Sequence, residues 1–88
     1  MSGDLIKVLI VDDHAMVVEL LERVVAGEPD MEVVAIARTA EEARRAMSME
    51  PDVVVMDYQL PDTDGATTTK ALREVRPETK VVMLTGLS

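Results

Sequence analysis

Two kinds of apolar run alternate along the 88-residue chain. Short, nearly continuous β-branched runs stand at residues 5–11 ("LIKVLIV"), 31–37 ("MEVVAIA"), 53–56 ("VVVM") and 80–85 ("KVVMLT"). A strand with no polar alternation is expected to be buried on both faces, the condition of a parallel sheet covered by helices. Between these runs the period changes. Val17, Leu20, Leu21, Val24 and Val25 follow the spacing of one helical face, with Gly27 expected as a left-handed cap and Pro29 as a stop. Thr39 and Glu42 have capping-box spacing, opening a helix whose Ala40, Ala43 and Met47 share a face and which Pro51 closes. A weaker helix spans 65–75, weaker because three consecutive threonines have poor propensity. Asp64 is its expected N-cap, Leu72 and Val75 its apolar stripe, and Pro77 its end. Strands alternating with helices at these spacings predict right-handed βαβ units, hence an α/β fold with a parallel sheet.

That order gives the acidic residues a meaning. In a parallel sheet the carboxyl ends of all strands lie on one edge, where open α/β folds place their sites. Asp12 and Asp13 follow the first strand, Asp57 the third, and Thr85 closes the fourth. If the first and third strands are neighbours, three carboxylates and a hydroxyl converge. Two carboxylates ~5 Å apart at an effective dielectric of ~20 repel by about 3 kcal/mol, a conflict that a divalent cation relieves. Oxygen ligands without a His or Cys cluster favour Mg²⁺ over Zn²⁺. Plainer roles stand beside these: Asp57 as the start of a turn, Asp12 or Asp13 as a helix cap, His14 as an exposed first-turn residue. The seven methionines read as core filler, and Arg44 and Arg45 as a solvated helix face.

Composition narrows the class. Acids outnumber bases 17 to 9, giving a net charge of −8, which argues against gripping nucleic acid through phosphate neutralisation. Hydrophobic residues make up 48% of the chain, too many for a disordered segment. With Tyr58 the sole aromatic residue and no cysteine, the core must be aliphatic, with neither disulfide nor thiolate metal site. No apolar run reaches membrane-spanning length and the start lacks a signal-peptide layout, so a cytoplasmic protein with no membrane partner is expected.

Three stretches in order, "VLIVDDH", "PDVVVMDYQLPDTDG" and "VVMLTG", resemble the receiver domain of two-component response regulators, and the wording "DDH" and "PDVVVMD" is similar to receivers joined to LuxR-type helix-turn-helix output domains. The resemblance covers residues 1–88. It implies a flavodoxin-like (CheY-like) doubly wound sheet and a phosphoacceptor, not an enzyme, taking a phosphoryl group from a histidine kinase onto Asp57. It further implies Asp13 as a direct Mg²⁺ ligand, Asp12 as the second acid acting through water, and the Gln59 backbone carbonyl as a third protein ligand. Thr85 becomes the switch hydroxyl, and Pro61 and Gly65 shape the loop after the acceptor. The family pattern has five strands in the order 2-1-3-4-5, so this sequence is expected to form 2-1-3-4, with the fifth strand, the last two helices and the phosphoryl-pairing lysine absent. Lys80, at the opposite end of the fourth strand, cannot replace that lysine. Val81, Val82, Met83 and Leu84 would then form an edge strand, predicting homo-oligomers through that edge or the bare sheet face. The expected output domain, a DNA-binding one, would lie outside this sequence. A receiver-derived interaction unit without phosphotransfer is the second reading.

A phosphatase of the haloacid-dehalogenase kind would need an acid two residues after the nucleophile, where Gln59 stands and cannot transfer a proton. A nucleotide- or flavin-binding module would need a phosphate-cradling loop after the first strand, where two aspartates would repel phosphate.

Overall fold

The computed structural model describes residues 4–84. The elements run β1 (Ile6–Val11), α1 (Ala15–Ala26), β2 (Met31–Ala37), α2 (Ala40–Ala46), a 3₁₀ turn (Met47–Met49), β3 (Val53–Asp57), α3 (Gly65–Val75) and β4 (Lys80–Leu84). The four strands form one sheet in the order β2-β1-β3-β4, every pair parallel. This is the expected order. Register is continuous between β1 and β3 and between β3 and β4, whereas β1 and β2 shift at Val8/Leu9.

Alternate side chains of the central strands feed two cores. Leu9, Val11, Val54 and Met56 face α2 and α3 and pack with Ala37, Ala43, Met47, Leu60 and Leu72. Val8 and Ile10 face α1 and pack with Val25. The two-sided burial inferred from the continuous apolar runs is complete for β1 between Val8 and Val11, which are 0% exposed. It is incomplete for β3, where Val53 and Val55 are only half-buried. Val55 pairs with Val82, and Val82 is 49% exposed. That face of β3 and β4 lies beside α1, whose Leu20 and Val24 are also exposed. The apolar stripe read from α1 is thus wider than the face that the described residues bury.

Helix ends follow local chemistry, with two departures. Thr39 Oγ1 accepts from the Glu42 N–H at 3.0 Å, but Glu42 Oε1 accepts from the N–H of Arg38, not Thr39. The capping box is therefore displaced by one residue on its return side. Asp64 caps α3 as expected, its Oδ1 accepting from the Thr67 N–H at 2.7 Å. Gly27 is not a left-handed cap: its φ is −78°, and its N–H donates to the Arg23 and Val24 carbonyls. Helix α1 ends there by tightening, so glycine's conformational freedom is unused. Among the described residues Glu50 is left-handed instead, with φ 52°, just before Pro51. On α3, Leu72 is buried but Val75 is 60% exposed. No helix among the described residues is long and apolar enough to cross a membrane.

Candidate functional site

The pairing of β1 with β3 brings Val11 opposite Met56, so the residues just beyond them share one sheet edge. Asp12 is 2% exposed and Asp57 8%, while Asp13 is exposed. One ligand atom from each of Asp12, Asp13, His14 and Asp57 can be chosen so that all four lie within 4.8 Å of one another. The convergence expected of the three aspartates is present. Thr85 lies outside the described residues.

Backbone geometry holds each carboxylate. The Asp12 N–H donates to the Ala37 carbonyl, extending the β1–β2 ladder by one residue. Asp12 Oδ1 accepts from the His14 N–H at 2.8 Å and lies 2.7 Å from His14 Nδ1. The N-cap of α1 is His14, which makes no side-chain cap, so Asp12 is committed to a turn before the helix and does not cap it. Asp57 Oδ1 accepts from the Gln59 N–H at 3.2 Å. Its other oxygen, Oδ2, is buried and has no hydrogen-bond partner. A buried anionic oxygen without a donor is costly, and this one faces the cluster, 3.3 Å from His14 Nδ1. Oxygen donors from three carboxylates with one unsatisfied oxygen among them fit a small hard cation.

His14 is the residue that the sequence reading left on the surface. Its ring is 42% exposed, yet Nδ1 reaches Asp12, Asp13 and Asp57. The hydrogen bond with Asp12 raises its pKa above the ordinary 6.5, helped by the charges of all three aspartates and opposed by desolvation. Its place immediately after two aspartates was the available signal, but helical periodicity carries no information on a ring preceding the first turn.

The loop after β3 is anchored at several points. Leu60 N–H donates to Thr63 O, Gly65 N–H to Tyr58 O, and Gln59 bridges Asp64. Asp62, absent from the sequence reading, accepts from the N–H groups of Ala40 at 2.9 Å and Glu41 at 3.2 Å. Those bonds, Ala40's foremost, hold its carboxyl below the usual range, as the Thr67 N–H does for Asp64. Pro61 lies in this loop and Gly65 ends it. A Cβ at Gly65 would stand 2.7 Å from Met83 Sδ, 3.0 Å from Tyr58 Cα and 3.1 Å from the Asp57 carbonyl oxygen. Two of those neighbours are backbone and cannot rotate away. Gly65→Ala is expected to lower stability by about 1–3 kcal/mol, read as a shifted urea midpoint with an unchanged slope; an unchanged midpoint would show the loop to be compliant.

The sequence model described as "Response regulator receiver domain" matches residues 8–88. The chain is 35% identical, over 89 aligned residues, to a protein-glutamate methylesterase/protein-glutamine glutaminase of Thermotoga maritima, covering 100% of this chain and 26% of that protein. It is 38% identical over 82 residues to the transcriptional regulatory protein LnrK of Bacillus subtilis, covering 92% and 37%. Among solved structures it is similar to the response regulator domain of Thermotoga maritima CheB, with 36% identity and a TM-score of 0.83, covering 94% of this chain and 62% of that one. A LuxR-family two-component response regulator from Aurantimonas sp. SI85-9A1 gives 34%, 0.85, 93% and 59%. The chain thus spans well under half of these curated relatives.

Proposed function

The chain belongs to the response regulator receiver domain family, and on that premise we propose that Asp57 is the residue through which it accepts a phosphoryl group. A receiver is a phosphoacceptor, and any enzymatic activity of its longer relatives is theirs. The second reading, an interaction unit without phosphotransfer, draws no support from the relatives. The observation that carries the choice of Asp57 is its unpartnered, buried Oδ2 at the tip of β3.

The Asp57 carboxylate acts as nucleophile. An oxygen lone pair attacks the phosphorus of a phosphohistidine, an O–P bond forms, the N–P bond breaks, and its electron pair stays on the departing imidazole. The Gln59 N–H on Oδ1 fixes the rotation of the carboxylate, which suits a reaction that depends mainly on positioning. Asp13 and Asp57 would hold Mg²⁺ directly, Asp12 through water, and the Gln59 carbonyl would complete the protein ligands. When bound, Mg²⁺ neutralises charge on the aspartates and on the incoming phosphoryl oxygens. Thr85 is assigned the switch hydroxyl.

We take residues 1–88 as receiver sequence in a cytoplasmic protein, with a histidine kinase as donor. The wording around the acids favours a helix-turn-helix output domain, with no nucleic-acid contact by these residues. Exposed Val82 and an outer edge of β4 unpaired among the described residues support self-association; sedimentation across micromolar concentrations should show species above the monomer, and a monomer throughout would remove that part.

Incubation with a small phosphodonor and Mg²⁺, followed by mass mapping, tests the central reading. One phosphoryl group on Asp57, not formed when Mg²⁺ is chelated beforehand, is the expected result. Labelling at another residue would refute it.

A further inference from the structure

The proposed Mg²⁺ site uses only oxygen, yet a nitrogen stands inside the cluster. His14 Nδ1 lies 2.7 Å from Asp12 Oδ1, 3.4 Å from Asp13 Oδ1 and 3.3 Å from Asp57 Oδ2. Two ligand atoms each ~2.1 Å from one ion, at octahedral or tetrahedral angles, are separated by roughly 3.0–3.4 Å. The separations from Asp13 and Asp57 fall within that range, so the ring nitrogen is spaced from those two carboxylates as neighbouring ligands are spaced. The 2.7 Å separation from Asp12 is a hydrogen bond, and an ion bound at Nδ1 takes the place of its proton. The unpartnered, buried Oδ2 of Asp57 points independently to something missing beside the ring. The His14 backbone is fixed by its N–H on Asp12 Oδ1, which keeps the ring near the cluster although its outer side is in solvent.

We propose that His14 Nδ1, with Asp12, Asp13 and Asp57, makes this a mixed nitrogen–oxygen site that prefers imidazole-accepting divalent transition ions to Mg²⁺. The inference rests on reading the three aspartates as a cation site and adds a ligand to it. Imidazole suits Ni²⁺, Co²⁺ and Zn²⁺, whereas Mg²⁺ prefers oxygen and retains water. The ring therefore changes the selectivity of the site and leaves its capacity to bind Mg²⁺ almost unaltered. An ion in the shared position also satisfies Asp57 Oδ2.

His14 is the only histidine in the chain, so an imidazole signal on a bound ion has one source. Untagged protein is titrated at one fixed pH with Mg²⁺, Mn²⁺ and Ni²⁺, in wild type, His14→Ala and Asp13→Ala, and the Mn²⁺ complexes are examined by electron spin-echo spectroscopy. Wild type should show ¹⁴N modulation on Mn²⁺, absent in His14→Ala. Loss of the ring should weaken Ni²⁺ binding by about tenfold or more, with Mg²⁺ affinity changed less than about twofold, while Asp13→Ala should weaken both ions. An unchanged Ni²⁺:Mg²⁺ preference without ¹⁴N modulation overturns the inference and leaves the acidic site intact. Tighter Mg²⁺ binding in His14→Ala also overturns it, showing the ring to be an obstacle. If none of the ions binds wild type, the acidic-site reading itself fails, and this inference with it.

Discussion

Asp57→Asn is expected to abolish phosphoryl labelling while raising the stability of the metal-free protein. The two effects have opposite signs, which makes the variant informative. An amide oxygen has neither the charge nor the basicity to displace a phosphoryl group, so labelling should fall to background. Stability should rise because the substitution removes one of the like charges gathered at this sheet edge. A pair of carboxylates ~5 Å apart at an effective dielectric of ~20 repels by about 3 kcal/mol, and His14 offsets part of that only while protonated. Replacing Oδ2, or turning the amide so that its NH₂ faces Asp12, also relieves a buried acceptor that has no donor. Phosphodonor labelling beside urea unfolding without Mg²⁺ reads both. Residual labelling would move the acceptor to another residue, and a lowered urea midpoint would mean that Asp57 is better satisfied than its geometry indicates.

Leu9→Ala should bring the largest loss of stability. Leu9 is 0% exposed in the central strand β1, where Val11, Val54, Met56 and Leu72 share its core. Truncation of such a residue leaves a cavity and costs about 2–5 kcal/mol. Small domains hold roughly 0.05–0.15 kcal/mol per residue, so much of the total would go. Val75→Ala, at a position 60% exposed, should stay within about 0.5 kcal/mol of wild type. Equal urea midpoints for the two variants would contradict the division between buried and exposed apolar positions.

Those two residues also show what the sequence could and could not reveal. Leu9 was readable because a buried strand leaves a dense, local signature: six successive residues with scarcely a polar break. Val75 matched the helical period equally well, but period gives a direction around an axis and not the distance to a neighbour. Leu20 and Val24 failed similarly, since a stripe that would reach past β1 meets no covering element among the described residues. The site divides along the same line. Asp12, Asp13 and Asp57 were found because strand order and strand ends suffice to place them on one edge. His14 depends on a side-chain rotation across the first turn, and Asp62 on a contact with Ala40 and Glu41 far along the chain. Neither relation has a period. Gly27 was misread because its type permits a left-handed cap without requiring one, and here carbonyls were already within reach of the right-handed form.

The connection from Tyr58 to Asp64 is tied to α2 by Asp62, capped onto α3 by Asp64, and closed against the strand by Gly65. Surface loops ordinarily accept extra residues at slight entropic cost. Here the tether points fix contour length, as the posts of a fence fix the wire between them. One residue added between Asp57 and Asp62 must either pull that carboxylate off the α2 amides or bow the chain away from the acceptor. Insertions and deletions should therefore be rare in this segment among related chains, although its exposed side chains other than Asp62 and Asp64 are free to vary.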